Sequence, residues 1–162
     1  STTSQPSAGM TAKIINPVLT SVIETFGTML GCAVKRGVVE LREENAPLYD
    51  VSAIIGISGR AKGSVCLSFE QSTALGVIAR FLDESHAEID ADVIDALGEV
   101  ANLVGGGAKS KLNMGLNIGL PNVVHGSDYS VDFPSESKPM RVHFDSEIGP
   151  FFVDFGFVIR QL

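Results

Sequence analysis

Asp95, Glu99 and Asn102 recur at i, i+4 and i+7 in the stretch DALGEVANLVGGGAKSK, which runs from Asp95 to Lys111. A helix turns about 100° per residue, so these three polar groups fall within roughly 60° of one another. Val93, Leu97, Val100, Val104 and Ala108 gather on the opposite side, which gives one buried and one presented face. Glu99 and Asn102 then stand on adjacent turns, where their side chains can reach a common point. Asn is no general base near neutral pH, but its amide both donates and accepts a hydrogen bond. That suits holding a water molecule in one orientation, while a neighbouring carboxylate meets a cation on a partner. No serine, cysteine, histidine or metal cluster stands beside the pair to supply a nucleophile. The constellation therefore fits a catalyst that positions, and phosphoryl transfer is the chemistry in which positioning and charge stabilisation do most of the work. The plainer alternative is an ordinary solvated helix face, because acids and amides at these spacings are common.

The same helix carries Gly98, Gly105, Gly106 and Gly107. An interior Gly costs about 1 kcal/mol relative to Ala, so three in succession call for a close approach to the backbone. Gly106 lies near the direction of Asn102 and leaves an open shelf for a partner beside the polar pair. The others point to the flanks and the core, where they permit close packing. GGGAK lacks the spacing of a P-loop, and inside a helix its N–H groups are already used. Lys109 and Lys111 read as surface residues near a helix C-terminus, where positive charge is favourable.

Other elements must hold this helix in place. Its start is marked by Asp90, a good N-cap, and its end falls between Lys111 and Met114. An earlier amphipathic helix is expected from Asn16-Pro17, a cap followed by a proline suited to the first turn, through Leu19, Val22, Ile23, Phe26 and Leu30 to Gly31. Residues 33–43 read as a strand. VSAIIGISG (51–59) and GSVCLSFE (63–70) read as a hairpin, followed by a short helix at about 72–82. Residues 120–133 read as a further strand, and MRVHFDSE with FFVDFGFVIR as a closing hairpin turned by IGP. The order is α+β: a largely antiparallel sheet with two long helices packed on one face. A weak internal echo lays VIETFGTMLG (22–31) over LGEVANLVGG (97–106), matching Glu24 with Glu99 and Gly27 with Asn102.

The chain has 162 residues, 44% of them hydrophobic, with a formal net charge of −7. Such a length suffices for one self-supporting core. The acidic balance argues against nucleic acid, which needs clustered Lys and Arg. No apolar run reaches the ~18 residues of a membrane span, so no membrane partner is expected. Cys32 and Cys66 have no CxxC neighbour and read as reduced, buried thiols of a cytoplasmic protein. His86, His125 and His143 are too dispersed to suggest a metal site. The opening STTSQPSAG lacks the basic and apolar regions of a signal peptide, so residues 1–12 are expected to be a disordered tail before a single domain at 13–162.

INPVLTSVIETF, AIIGISGRAKGSVCLSF and IDALGEVANLVGGGAKSKL followed by LPNVV together resemble the CheX branch of the CheC/CheX/FliY chemotaxis phosphatases. The resemblance covers about residues 13–160, and its most specific piece is Asp95, Glu99 and Asn102 with Pro121 downstream. It implies a pseudo-duplicated CheC-like fold and a phosphatase acting on the phosphorylated response regulator CheY. The regulator would bring the phospho-aspartate and its Mg²⁺, and the phosphatase would have no cofactor of its own. Asn102 would hold the attacking water, Glu99 would pair with a regulator lysine, and Asp95 would support docking. CheC and FliY members carry the acid–amide pair on both repeated helices. Here Glu24 is followed by Gly27, so the first copy should be dead, as in CheX. The resemblance also implies a homodimer joined through sheet edges. A non-catalytic adaptor that binds a response regulator through the same helix face is the rival reading. A domain for an unknown ligand on the same fold is a third.

Overall fold

The computed structural model describes residues 2–112 and 115–161. Helices α1 (Ala8–Leu30), α2 (Gln71–Leu82) and α3 (Ala91–Lys111) pack on a sheet built from β1 (Thr3–Ser4), β2 (Val34–Leu41), β3 (Val51–Gly59), β4 (Ala61–Phe69), β5 (Leu116–Ile118), β6 (Asn122–His125), β7 (Met140–Ser146) and β8 (Phe151–Arg160). The strands pair antiparallel in the order β2-β7-β8-β4-β3-β5, with β6 also on β3 and β1 on the end of β8. This is the α+β architecture expected from the order of elements.

The helices cover one face of the sheet. Alternate residues of the central strands, such as Ile55, Val65, Leu67, Val153 and Phe155, meet Val22 and Phe26 of α1, Val77 and Ile78 of α2, and Val93, Leu97, Val100 and Val104 of α3 in one buried cluster. The other face is covered by connecting segments. There Asp154 is fully buried and held by Arg42 Nε at 2.7 Å and by Arg141 Nε at 2.7 Å. A buried carboxylate is tolerable only with such partners.

The duplication is written in the topology. Replacing β2 by β5/β6, β3 by β7 and β4 by β8, and each by its counterpart, turns the strand order into its own reverse. Each half is therefore a long helix followed by three strands, with α2 as the connector, and β4 pairs with β8 along the axis of the pseudo-symmetry.

Two expectations are corrected. Residues 2–12 do not form a disordered tail. Thr3 and Ser4 pair with Arg160 and Ile159, and α1 begins at Ala8. The Ser7 side chain accepts from Met10 N at 3.1 Å and caps the helix, while Pro17 lies inside it. Pro in a helix interior is costly, but burial of Ile14 and Ile15 against the core offsets the loss. Residues 120–133 are not one strand. The chain forms the short β5 and β6 and then leaves the sheet after Gly126, whose φ of 148° is open to glycine and strained for other residues. The alternating apolar residues beyond it serve as a plug: Val131 is buried, and Phe133 packs so closely on Gly156 that a Cβ there would collide with its ring. The hairpins β3–β4 and β7–β8, the extent of α2 and the cap of α3 follow the sequence reading, while Met114, the outer limit set for α3, lies outside the described residues.

Candidate active site

The candidate site is one face of α3. Asp90 caps it, its Oδ1 accepting from Val93 N at 2.9 Å. His86 bridges Asp90 Oδ2 and Glu84 Oε1, both at 2.9 Å, and ties the cap to the preceding connector. These bonds raise the pKa of His86, while the bond from His86, helped by the Val93 amide, lowers that of Asp90. Asp92 adds a carboxylate in the first turn and Lys109 and Lys111 add cations in the last, both favourable to the helix dipole.

All the singled-out residues of this face reach solvent. Asp95, Glu99, Asn102 and Gly106 are exposed, and Val93, Leu97, Val100, Val104 and Ala108 are buried. The side-chain bonds of α3 among the described residues are made by Asp90, Ser110 and Lys111. None holds Asp95, Glu99 or Asn102, so the ridge keeps its carboxylates and its amide free for an incoming group. It is a shallow, open feature and not a pocket. An open groove of about 430 Å³ lies elsewhere, between α1 and the β2–β7 edge, with Arg36 and Lys138 at its rim and no residue of α3 in its walls.

Each glycine of α3 has its own surroundings. A Cβ on Gly106 would meet nothing within 4 Å, so this turn is a bare shelf beside Asn102. A Cβ on Gly107 would collide with Ser21 of α1. There α1 and α3 run side by side, and the buried Ser21 Oγ donates to Val104 O at 2.6 Å. Gly98 and Gly105 face the opposite flank, against Val123 of β6 and Ile118 of β5.

The first repeat carries no intact counterpart of the ridge. Glu24 accepts from Lys111 Nζ at 2.9 Å, and Gly27 has no side-chain amide. Lys111, read from sequence as a plain surface residue, thus occupies the one acidic group that the first repeat retained. A wheel drawn for α3 alone cannot show this, because the partner sits on another helix.

Among the described residues, no group of three or more His, Cys, Asp or Glu is arranged to hold a metal ion. Cys32 and Cys66 are buried and unpaired with each other, and burial pushes the Cys66 thiol up to about 12. No helix among the described residues is long and apolar enough to cross a membrane.

An acid–amide ridge thus stands on one helix of a duplicated α+β fold, and comparison with known proteins places the chain among the chemotaxis phosphatases. The family described as chemotaxis phosphatase CheX matches residues 51–145. The CheY-P phosphatase CheX of Thermotoga maritima is 30% identical over 126 residues, 75% of this chain and 81% of that protein. The crystal structure of a CheC-like superfamily protein from Shewanella sp. PV-4 superposes with a TM-score of 0.82 at 32% identity, covering 90% of this chain and 97% of that one. CheX of Borrelia burgdorferi, solved as a complex with CheY, BeF3 and Mg²⁺, has a TM-score of 0.75 at 22% identity, over 89% and 97% of the two chains, and speaks for the fold. The chain belongs to the chemotaxis phosphatase CheX family.

Proposed function

We propose that this phosphatase hydrolyses the phospho-aspartate of a CheY-type response regulator, using the ridge of α3. The observation that carries the reading is the solvent-open Glu99 and Asn102 pair, free of internal bonds, on a helix whose opposite face is locked in the core. The Asn102 amide accepts from a water O–H through Oδ1 and holds the water in line with phosphorus. As the water oxygen bonds to phosphorus, the bond from phosphorus to the aspartyl oxygen breaks, releasing phosphate and restoring the regulator's carboxylate. Glu99 pairs with a regulator lysine and seats the helix. Asp95, one turn earlier, supports docking, and the Gly106 shelf lets the regulator approach the helix. Mg²⁺ travels with the substrate, and the phosphatase has no cofactor of its own. A substrate of this kind places the enzyme in the cytoplasm.

Orientation and avoided solvent reorganisation are worth up to ~7–11 kcal/mol in favourable systems, of which one amide supplies part. By analogy with loss of a single oxyanion donor, Asn102→Ala should lower kcat by ~10²–10³, or about 2.7–4 kcal/mol. The measurement is release of phosphate from regulator phosphorylated by a small-molecule donor, with Glu99→Ala alongside. Asn102→Ala should lose kcat, and Glu99→Ala should chiefly raise KM. Acceleration untouched by Asn102→Ala would sink the positioned-water reading. Tight binding without acceleration by the wild type would make the protein an adaptor.

We also propose that the protein is a homodimer joined at sheet edges. Support comes from β2, an edge strand whose Val38, Val39 and Leu41 are all exposed.

A further inference from the structure

Leu120 is 80% exposed, well above the other exposed large hydrophobic residues. A single exposed leucine is unremarkable on a protein surface, so its setting decides its meaning. Ile118 pairs with Ile57, and Asn122 pairs with Ile54. Gly119, Leu120 and Pro121 therefore stand opposite only Gly56 and Ile55, which is a bulge of one residue in an edge strand. Gly119 N donates to Gly56 O at 2.9 Å and fixes one side of the bulge. Pro121, which has no N–H to lose, stiffens the other. A bulge re-aims the side chains it carries, and bulges are enriched beside active sites.

Its position along α3 follows from two contacts. Gly98 faces Val123 and Gly105 faces Ile118, so the bulge passes the two helical turns between those glycines. Asn102 lies on those turns. Of the ridge residues it is the one angularly nearest the glycine flank, about 40° from Gly98 at 100° per residue. The segment that carries the exposed Leu120 thus runs alongside the turns of Asn102, on the side away from α1.

We propose that Leu120 is a docking contact for the response regulator, seated in an apolar patch on the regulator surface next to its phospho-aspartate. The inference rests on the phosphatase reading above. A macromolecule that carries a phosphoryl group to Asn102 must cover the adjoining rim, and Leu120 is the apolar part of that rim. Glu99 then supplies the charged contact on one side and Leu120 the apolar contact on the other. Together they set how the regulator sits while Asn102 works.

The test is steady-state dephosphorylation of the regulator by wild type, Leu120→Ser and Leu120→Met. Leu120→Ser should raise KM roughly ten- to a hundredfold, the range expected for burial of one leucine. Its kcat at saturating regulator should stay unchanged, since uniform binding is lost and transition-state contacts are kept. Leu120→Met should stay close to wild type. An unchanged KM in Leu120→Ser overturns the proposal, as does a fall in kcat at constant KM. Conversion of a dimer to a monomer by Leu120→Ser in light scattering also overturns it, assigning the leucine to a second copy. Should the wild type give no acceleration at all, the phosphatase reading has failed. Leu120 is then judged by the Kd for regulator loaded with Mg²⁺ and BeF3, where no change in Leu120→Ser refutes the contact.

Discussion

Two adjacent glycines, Gly106 and Gly107, separate the needs of the ridge from those of the core. Gly106→Ala should stabilise the protein by up to about 1 kcal/mol, because the new Cβ meets nothing and helix propensity improves. If the bare shelf serves the regulator, the same substitution should raise KM. Gly107→Ala should destabilise by about 1–3 kcal/mol, because its Cβ is driven into Ser21 and the Ser21–Val104 bond must yield. Thermal melting of both variants, with KM measured for Gly106→Ala, checks the pair. A stabilised Gly107→Ala would mean that α1 can move aside. At this scale much was legible in the sequence. The 100° rule separated Asp95, Glu99, Asn102 and Gly106 from the buried face of α3, because a single amphipathic helix carries that information locally. The pairing of Lys111 with Glu24 and the exposure of Leu120 were not legible. Both depend on which elements lie side by side.

At the scale of the element, α3 is held at its start by a small charged clamp whose strength changes with pH. His86 has its pKa raised above 6.5 by its bonds to Asp90 and Glu84. It therefore contributes stability that is complete below 6.5 and is lost as pH rises through the raised value. Asp90 has its pKa lowered below 3.8, so its contribution is present above 3.8 and lost as the pH falls through the lowered value. The clamp is strongest between these limits. The Tm of wild type should exceed that of His86→Gln by more at pH 6 than at pH 8, and an equal gap at both would remove protonated His86 from the account. The cap itself was readable, since Asp90 precedes an apolar repeat of helical period. The start of α1 was misjudged because Asn16-Pro17 carries a stronger local signal than Ser7, and only the packing of Ile14 and Ile15 favours the longer helix. The strand expected at 120–133 failed for a related reason: alternation marks two faces, and Val131 and Phe133 use theirs to plug the back of a sheet instead of extending it.

For the molecule as a whole, the exposed row of Val38, Val39 and Leu41 on edge strand β2 predicts association. Light scattering should find a dimer, and Val38→Glu should shift it toward monomer by placing charge on the joined edge. A wild type that is monomeric at micromolar concentration would rule out the sheet-edge assembly. The class of fold was legible from the order of helices and hairpins. The strand order was not, because it joins segments about a hundred residues apart, as when Leu41 pairs with Met140.

That interleaving bears on how the chain is made. A ribosome releases β1 to β4 before β7 and β8, yet β2 waits for β7, and β1 and β4 wait for β8. Until residues 151–160 emerge, the nascent N-terminal half carries strand edges with nothing to satisfy them. Closing such distant pairs is entropically slow. The interval before the last strand arrives is the period in which this protein is most exposed to aggregation, and shielding by a chaperone would matter most then.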